Sequence, residues 1–502
     1  MPKSAIFRCD ASPTMGGGHV QRCLVLADVL ASAGWNCRFA CSPESTDIVP
    51  GLAAGPHGLI VLEEPDFRDG TRLREVVPDG CDLLVVDHYG LGAAYESSLR
   101  GWTASIMAID DLADRSHDCD ILLDQTPDAS AGRYAGLVPE RCLKLLGGEY
   151  ALLRPQFERA RWANGDTLVR HEARRVLIGF GAVDGKNLSA ASVAAAGRAS
   201  PALKSRVIVG RAARGLPQLR KLAADGACEL AIDVGDMAAA MLAADFAIGA
   251  GGTSSLERCC MGLPTLLVVT ADNQKTVAEA LQTRHAARIV ASYPEVSDAA
   301  IEAGVRSLIA DGDSLREMSR AALTVCDGLG ARRALHAIAA PQTADGGAVR
   351  LRPAGADDSE AIFGWQQHPQ TRRFFRHPEA PSRAEHAQWF ADKLRDPGCA
   401  LNIITHNDTP AGLLRLDRTE RTDRALEVSI LIAPTHYRLG LGRQALALAE
   451  AIWAHTPQVA EVHSENAASH GLFRKAGFTL VGGLYMKSPT PDAENEVRAI
   501  AR

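Results

Sequence analysis

The chain has 502 residues, too many for one hydrophobic core and enough for about three folding units at ~150 residues each. Hydrophobic residues make up 46% and charged residues 23%, aromatics only 5%, and mean hydropathy is −0.05, the balance of a soluble globular protein. The net charge of −6 argues against nucleic acid or an anionic membrane as the main partner, because both select basic faces.

No apolar run approaches the ~20 residues that cross a bilayer. The opening MPKSAIFRCDASPTMGGGH lacks the parts of a signal peptide, so a cytoplasmic location is expected. Twelve cysteines are scattered through apolar segments without a C-x-x-C pair. They read as small buried hydrophobes, neither a disulfide framework nor a zinc site.

From the N-terminus to about residue 340, short β-rich runs alternate with helical patterns. Strands are expected at 5–8, 83–87, 106–109, 176–179, 207–209, 246–249 and 265–269, with helices at 20–33, 187–197, 237–244, 254–261 and 274–281. Continuously apolar strands joined by helices imply parallel sheets covered on both faces. The alternation restarts after the polar stretch 164–175. Two doubly wound halves facing a cleft are therefore expected at 1–165 and 172–340. A linker, Pro341-Gln-Thr-Ala-Asp-Gly-Gly347, leads to an α+β unit at 348–490. There, helices at 356–368 and 382–395 precede strands at 400–405, 412–416 and 426–432. A glycine turn, helix, strand, helix and strand finish it.

The first strand runs into Cys9-Asp10-Ala-Ser-Pro-Thr-Met-Gly16-Gly17-Gly18-His19-Val20-Gln21-Arg22. Glycines between a strand and a helix let backbone N–H groups approach a ligand, and a helix start favours anions. His19 stands where the positive end of the helix disfavours imidazolium, so it is either a neutral general base or a capping residue. Asp10 could orient that imidazole, bind a sugar, or cap. Tyr89 could donate to sugar or phosphate, or pack, and His88 adjoins it. In the second half the strand at 246–249 enters Ala250-Gly251-Gly252-Thr253-Ser254-Ser255-Leu256-Glu257, a turn whose N–H and hydroxyl groups suit a diphosphate. Ser254–Glu257 also reads as a capping box. No Asp/Glu pair stands out as a Mg²⁺ site, so no metal is expected.

The segment FRCDASPTMGGGHVQRCLVLA resembles the start of the pseudaminic-acid-pathway UDP-sugar hydrolases. Further matches are Val86-Asp87-His88-Tyr89-Gly90, Ile109-Asp110-Asp111, Cys119-Asp-Ile-Leu-Leu-Asp124, Gly136-Leu-Val-Pro139 and Tyr150-Ala-Leu-Leu-Arg154, in order through most of 5–290. The resemblance implies two Rossmann-like domains of the GT-B type and removal of UDP from UDP-2,4-diacetamido-2,4,6-trideoxy-β-L-altropyranose with inversion. It places the family's catalytic histidine on His19, its ribose-binding acid on Glu257 and a substrate-side asparagine on Asn273. Gly16, Gly17, Gly18, Arg22, His88, Gly251, Gly252, Thr253, Ser254 and Ser255 are the expected substrate contacts. Gly179-Phe180-Gly181-Ala182-Val183-Asp184 departs from the family's usual Gly-Gly-x-Asp turn.

In the last unit Leu426-Glu-Val-Ser-Ile-Leu-Ile-Ala433 is followed by Pro434-Thr-His-Tyr437-Arg438-Leu439-Gly440-Leu441-Gly442-Arg443. This resembles the pyrophosphate loop of GNAT-type N-acetyltransferases. Asn466-Ala-Ala-Ser469-His470-Gly-Leu-Phe473-Arg-Lys-Ala-Gly477-Phe478 resembles that family's last helix and strand. The resemblance implies an acetyl-CoA site at Leu431, Ile432, Arg438, Gly440, Gly442, Arg443, Asn466 and Ser469. Tyr437 replaces the usual Arg or Gln, and Phe473 the usual tyrosine acid. Tyr485 is then the nearest acid, and Glu427 could deprotonate an amine through water or stand solvated. Trp365, Arg372, Arg373, Phe374, Phe375, His386 and Trp389 form an aromatic-basic prelude that either meets a nucleotide sugar or packs as a helix pair.

Together these features imply a bifunctional enzyme. Acetyl-CoA would acetylate the 4-amino group of UDP-4-amino-4,6-dideoxy-N-acetyl-β-L-altrosamine, and the hydrolase would then release UDP and the free sugar. Hand-over between consecutive sites on one chain raises the local concentration of intermediate only if the sites face each other. Three alternatives stay open: a UDP-sugar glycosyltransferase with an appended acetyltransferase, a non-catalytic nucleotide-sugar-binding module, and an acetyltransferase for protein or antibiotic amines.

Overall fold

The computed structural model describes residues 2–12, 15–63, 70–420 and 424–489, so the Pro13-Thr14 step of the first glycine loop lies outside the described residues. The chain divides into two compact units, Met1–Ala331 and Arg332–Arg502.

The first unit holds two parallel sheets. The first is built from β1 (Ser4–Cys9), β2 (Asn36–Cys41), β3 (Gly58–Val61), β4 (Cys81–Asp87), β5 (Thr103–Ile109), β6 (Ile121–Asp124) and β7 (Leu143–Leu146), in the order β3-β2-β1-β4-β5-β6-β7. The second comprises β8 (Arg175–Gly179), β9 (Lys204–Val209), β10 (Glu229–Ile232), β11 (Phe246–Ala250), β12 (Thr265–Val269) and β13 (Arg288–Ser292), in the order β10-β9-β8-β11-β12-β13. Both sheets reverse direction after their third strand, the doubly wound Rossmann order. Side chains alternate in register with this layering. Val176, Ile178, Ile248, Leu266 and Val268 enter the core on one face of the second sheet. Leu177, Ala247, Leu267 and Val269 enter the other, against Leu256 and Cys259.

The strands expected from sequence are present, and they are mostly the central ones. Those that were not expected lie mostly toward the sheet edges, where one or both faces meet solvent. β3 and β10, at the ends of their sheets, carry one buried position between them, Ile60, although their residues are mostly apolar. The stretch 164–175 is packed: Leu168 and Arg170 are buried, and the Arg170 guanidinium donates to the carbonyls of Ala244 and Met241 at 3.0 and 3.1 Å. All twelve cysteines are free thiols, nine of them buried, as their apolar surroundings imply.

The second unit is a mixed sheet of β14 (Val349–Pro353), β15 (Cys399–His406), β16 (Thr409–Arg418), β17 (Leu426–Ile432), β18 (Gln458–Glu461), β19 (Thr479–Val481) and β20 (Leu484–Lys487), in the order β14-β15-β16-β17-β18-β20-β19. Every pairing is antiparallel except β17 with β18. That parallel pair is held only at Leu426↔Gln458 and Glu427↔Val459, so the strands part beyond Glu427. The helices that carry or border site residues are α1 (Gly18–Ser32), α2 (Pro155–Asn164), α3 (Ser254–Cys260), α4 (Leu441–Ile452) and α5 (Ala467–Lys475).

Within the first unit, the turn after β7 lies directly against the segment that follows the last helices of the second sheet. A Cβ on Gly148 would lie 2.3 Å from the backbone oxygen of Val325 and 3.0 Å from its Cγ1. Backbone cannot step aside as a side chain tip can, so overpacking there costs about 1–3 kcal/mol. Gly148→Ala should therefore lower the urea midpoint of the first unit. An unchanged midpoint would show that the segments are free to separate.

Candidate active sites

The loop from β1 to α1 lies at the carboxyl edge of the first sheet, beside the end of β4, because Cys9 is paired with Asp87. β1 and β4 are the strands between which the order reverses, the place where open α/β sheets bind ligands. His19 is the second residue of α1 and is buried. Its Nδ1 lies 2.6 Å from Oδ1 of Asp87, the last residue of β4. Arg22, one turn along α1, donates from Nε to Asp87 Oδ2 at 2.7 Å and from Nη2 to Oδ1 at 2.6 Å. Its Nη1 reaches Asp111 Oδ2 at 2.8 Å.

Burial by itself would push the Asp87 carboxyl up. The Arg22 guanidinium and the His19 ring outweigh it and hold Asp87 well below the usual carboxylate range. An ionised Asp87 fixes the imidazole tautomer. Nδ1–H donates to it, and the lone pair is left on Nε2, the form a general base needs. No side chain caps α1 and its first turn holds no acid, so the positive end of the helix is not neutralised from within.

Tyr89 packs edge-on against His19, with ring centroids 4.5 Å apart at 87°. Asn273 Nδ2 donates to the Tyr89 oxygen at 3.2 Å, which leaves the hydroxyl hydrogen available to a ligand. Burial, more than the nearby Asp111, pushes the Tyr89 phenol up to about 12, so it stays a donor at neutral pH.

Three sequence expectations change here. Asp10 does not orient His19; it accepts from Ser42 N at 2.7 Å, pairs with Arg8 Nη1 at 2.8 Å and lies 3.4 Å from His88 Nε2. The orienting carboxylate is Asp87. Arg22, expected as a substrate contact, is buried and donates to Asp87 and Asp111. The Ser254–Glu257 capping box is not formed: Thr253 is the N-cap residue of α3, no side chain caps it, and Glu257 instead accepts from Arg154 Nη2 at 3.1 Å. Ser255 is also turned inward, donating to the Gly252 carbonyl at 2.6 Å.

Three contacts join the two halves of this unit here. A Cβ on Gly18 would sit 3.4 Å from Thr253 Oγ1, Tyr89 meets Asn273, and Arg154 meets Glu257. Gly16 has a φ of +77° just before α1, and Gly17 is its N-cap residue. Gly251 and Gly252 lead from β11 to the exposed Ser254. Burial raises the Glu257 carboxyl and Arg154 opposes it. Among the described residues no group of three or more His, Cys, Asp or Glu is placed to hold a metal ion.

In the second unit the chain turns from β17 into α4 through Gly440, whose φ of +82° suits glycine best. No side chain caps α4, Gly442 lies in its first turn, and Arg438 and Arg443 are exposed beside it. Leu431 and Ile432 end β17 on the stretch that β18 no longer pairs. Asn466 caps α5, its side chain accepting from Ser469 N at 3.0 Å, so both residues serve the helix start.

Glu427 and Tyr485 are not brought together. Glu427 pairs with Val459 and Tyr485 with Ala460, and neighbouring positions on a strand face opposite sides of the sheet. Tyr485 is fully buried, stacked on Phe473 at 5.6 Å, with its hydroxyl 2.9 Å from His470 Nδ1. Glu427 lies 2.5 Å from Arg376 Nη2, which also reaches Glu461 at 2.5 Å. In the prelude, His386 is buried between Gln366 Oε1 and the Ser359 carbonyl, and Trp365, Phe375 and Trp389 pack on the same core. This is the packing of a helix pair.

Residues 348–479 match the family model of the acetyltransferase (GNAT) domain. Toward the N-terminus, 218 residues are 31% identical to the UDP-2,4-diacetamido-2,4,6-trideoxy-β-L-altropyranose hydrolase of Campylobacter jejuni, covering 43% of this chain and 72% of that protein. The chain belongs to this hydrolase family. It is an enzyme that joins such a hydrolase to a GNAT acetyltransferase domain. The spore coat polysaccharide biosynthesis protein SpsG of Bacillus subtilis is 28% identical over 178 residues, 35% of this chain and 48% of that protein. MurG of Acinetobacter baumannii superposes with a TM-score of 0.49 at 14% identity, over 67% of this chain and 99% of that one.

The carboxylate beside His19 that sequence reading missed is Asp87. Its signal was present as an acid closing a central apolar strand at the switch point. Burial first, then Arg8, depress His88 to about 4 against the pull of Asp10. The unfolded chain therefore binds more protons between about pH 6.5 and 4, and the stability from neutral His88 is complete above that window and lost as pH falls through it. The contribution is on the order of 3 kcal/mol. His88→Gln should shrink the difference in denaturation midpoint between pH 7 and pH 4.5; an unchanged difference would contradict this.

Proposed function

We propose that the first unit hydrolyses UDP-2,4-diacetamido-2,4,6-trideoxy-β-L-altropyranose to UDP and the free sugar. The second unit transfers acetyl from acetyl-CoA to the 4-amino group of the UDP-4-amino precursor, so that the chain carries two consecutive steps toward pseudaminic acid. The observation that carries the hydrolase reading is the His19–Asp87–Arg22 arrangement, at the first glycine loop of a chain that is 31% identical to that hydrolase over 218 residues.

In this mechanism His19 Nε2 takes a proton from water while the water oxygen bonds to the anomeric carbon. The bond from that carbon to the diphosphate oxygen breaks on the opposite face, and the electron pair leaves with UDP. Asp87 stabilises the imidazolium that forms, and Arg22 keeps Asp87 ionised. Tyr89 donates its free hydroxyl hydrogen to the sugar or the departing phosphate. The leaving group is already a weak base, so it needs its charge dispersed, by N–H groups and hydroxyls of the Gly251–Ser254 turn, more than it needs an acid. Glu257 accepts the ribose hydroxyls.

The second unit has what a CoA thioester requires. The unpaired edge of β17 offers backbone groups to the pantetheine amides, and the uncapped start of α4 with Arg438 and Arg443 suits the pyrophosphate. Acetyl-CoA supplies the acyl group. Glu427, released from Arg376, accepts the proton of the attacking amine.

The full chain given the UDP-amino sugar and acetyl-CoA should release free thiol and then UDP. Absence of UDP release from the diacetamido substrate would refute the hydrolase reading. His19→Ala should abolish UDP release while thiol production continues; loss of both would contradict separate sites. Asp87→Asn should lower kcat for UDP release by about 10²–10⁴-fold, the range of general acid–base contributions, with UDP affinity within twofold. A kcat within threefold of wild type would remove Asp87 from the mechanism.

A further inference from the structure

Helix α3 turns one face to the seam between the two halves of the first unit. Thr253 and Ser254 open it and Glu257 stands three to four residues further on, so the three share a face. Thr253 Oγ1 lies 3.4 Å from where a Cβ of Gly18 in the first glycine loop would stand. Glu257 accepts from Arg154, on the segment that follows β7. One turn of helix, about 5.4 Å, therefore separates the Gly251–Ser254 turn from the glutamate. A nucleoside diphosphate spans a comparable length between its phosphates and its ribose hydroxyls.

Arg154 is itself held in place. It is the N-cap residue of α2, its guanidinium lies 5.4 Å from the centre of the Phe157 ring, and its Nη2 donates to Glu257 Oε1 at 3.1 Å. Further along α2, Arg161 donates to the Cys260 carbonyl at 3.2 Å, so α2 grips α3 both at its glutamate and at its last residue. The bond from Arg154 uses one glutamate oxygen. Oε2 accepts from no described residue, and the side chain keeps 14% of its surface exposed. The neighbouring cation is turned away, because Arg258 donates to the Ala250 carbonyl at 2.6 Å. Burial would favour an uncharged Glu257, and Arg154, more than Arg258, opposes this. An ionised oxygen left open on a fixed carboxylate has lone pairs for two adjacent hydroxyls, whereas a protonated or swinging carboxyl cannot accept both.

We propose that Arg154 is a positioning residue for the nucleotide, holding Glu257 by Oε1 so that Oε2 accepts the ribose hydroxyls of UDP. This rests on the reading of Glu257 given above. It adds that a side chain of the first half sets up a ribose contact made by the second.

The test is calorimetry of the full chain with UDP and with 2′,3′-dideoxy-UDP, which lacks both hydroxyls. Wild type should bind UDP about tenfold or more tightly than the dideoxy nucleotide, the weight of hydrogen bonds to a charged group. Arg154→Ala should weaken UDP and bring that ratio below about threefold, while Arg154→Lys, which keeps the charge, should hold it above that value. A ratio taken within one variant cancels any general loss of fold. An Arg154→Ala protein that weakens both nucleotides equally, or neither, would reduce Arg154 to a brace between helices and overturn the proposal. Equal binding of the two nucleotides by wild type would overturn the reading of Glu257 and this proposal with it. A chain that shows the ratio, loses it with Arg154→Ala and yet releases no UDP from the nucleotide sugar would uphold the proposal and refute the hydrolase reading alone.

Discussion

A fully buried carboxylate, Asp87, organises the first unit. A charge removed from water is tolerable only when it is paired and hydrogen-bonded. Here Arg22 supplies two bonds and His19 a third, all from successive turns of one helix. The need to neutralise one strand-terminal acid therefore sets the position of α1, the tautomer of the imidazole and the direction in which its free nitrogen acts. Asp111 completes the set by taking the remaining Arg22 donor.

The fold makes that cluster reachable. In each sheet of the first unit the strand order reverses between its first and fourth strands, and a glycine-rich turn follows one strand at each reversal: β1 in the first sheet and β11 in the second. Contacts between Tyr89 and Asn273, and between Arg154 and Glu257, tie the two halves together near these turns. The parting of β17 from β18 plays a comparable part in the second unit, where lost strand pairing exposes backbone that a cosubstrate can use.

Much of this was legible in the amino-acid sequence, and the reasons for the rest are physical. The central strands were readable because both their faces are buried, whereas β3 and β10 are four-residue edge strands with solvent-facing positions, too short for their apolar residues to stand out. His19, Tyr89 and Asn273, singled out by their motifs, lie in contact in series, while Glu257 meets Arg154. Asp10 was favoured over Asp87 because it is adjacent in sequence to the glycine loop; pairing between parallel strands, which is non-local, is what brings Asp87 to the histidine. The Ser254–Glu257 box satisfied a local rule, but a partner 103 residues away, Arg154, took the glutamate. Tyr485 and Glu427 were paired by role, and strand register, invisible in composition, sends them to opposite faces.

If Asp87 and His19 direct water at the anomeric carbon, the displacement is direct and the configuration at that carbon is reversed. Proton NMR of the sugar in the first moments of turnover, before mutarotation, reads that configuration. Accumulation of the anomer opposite to that of the nucleotide sugar is the expected result. First appearance of the same anomer would require a covalent glycosyl intermediate or attack at phosphorus, and would contradict the role given to His19.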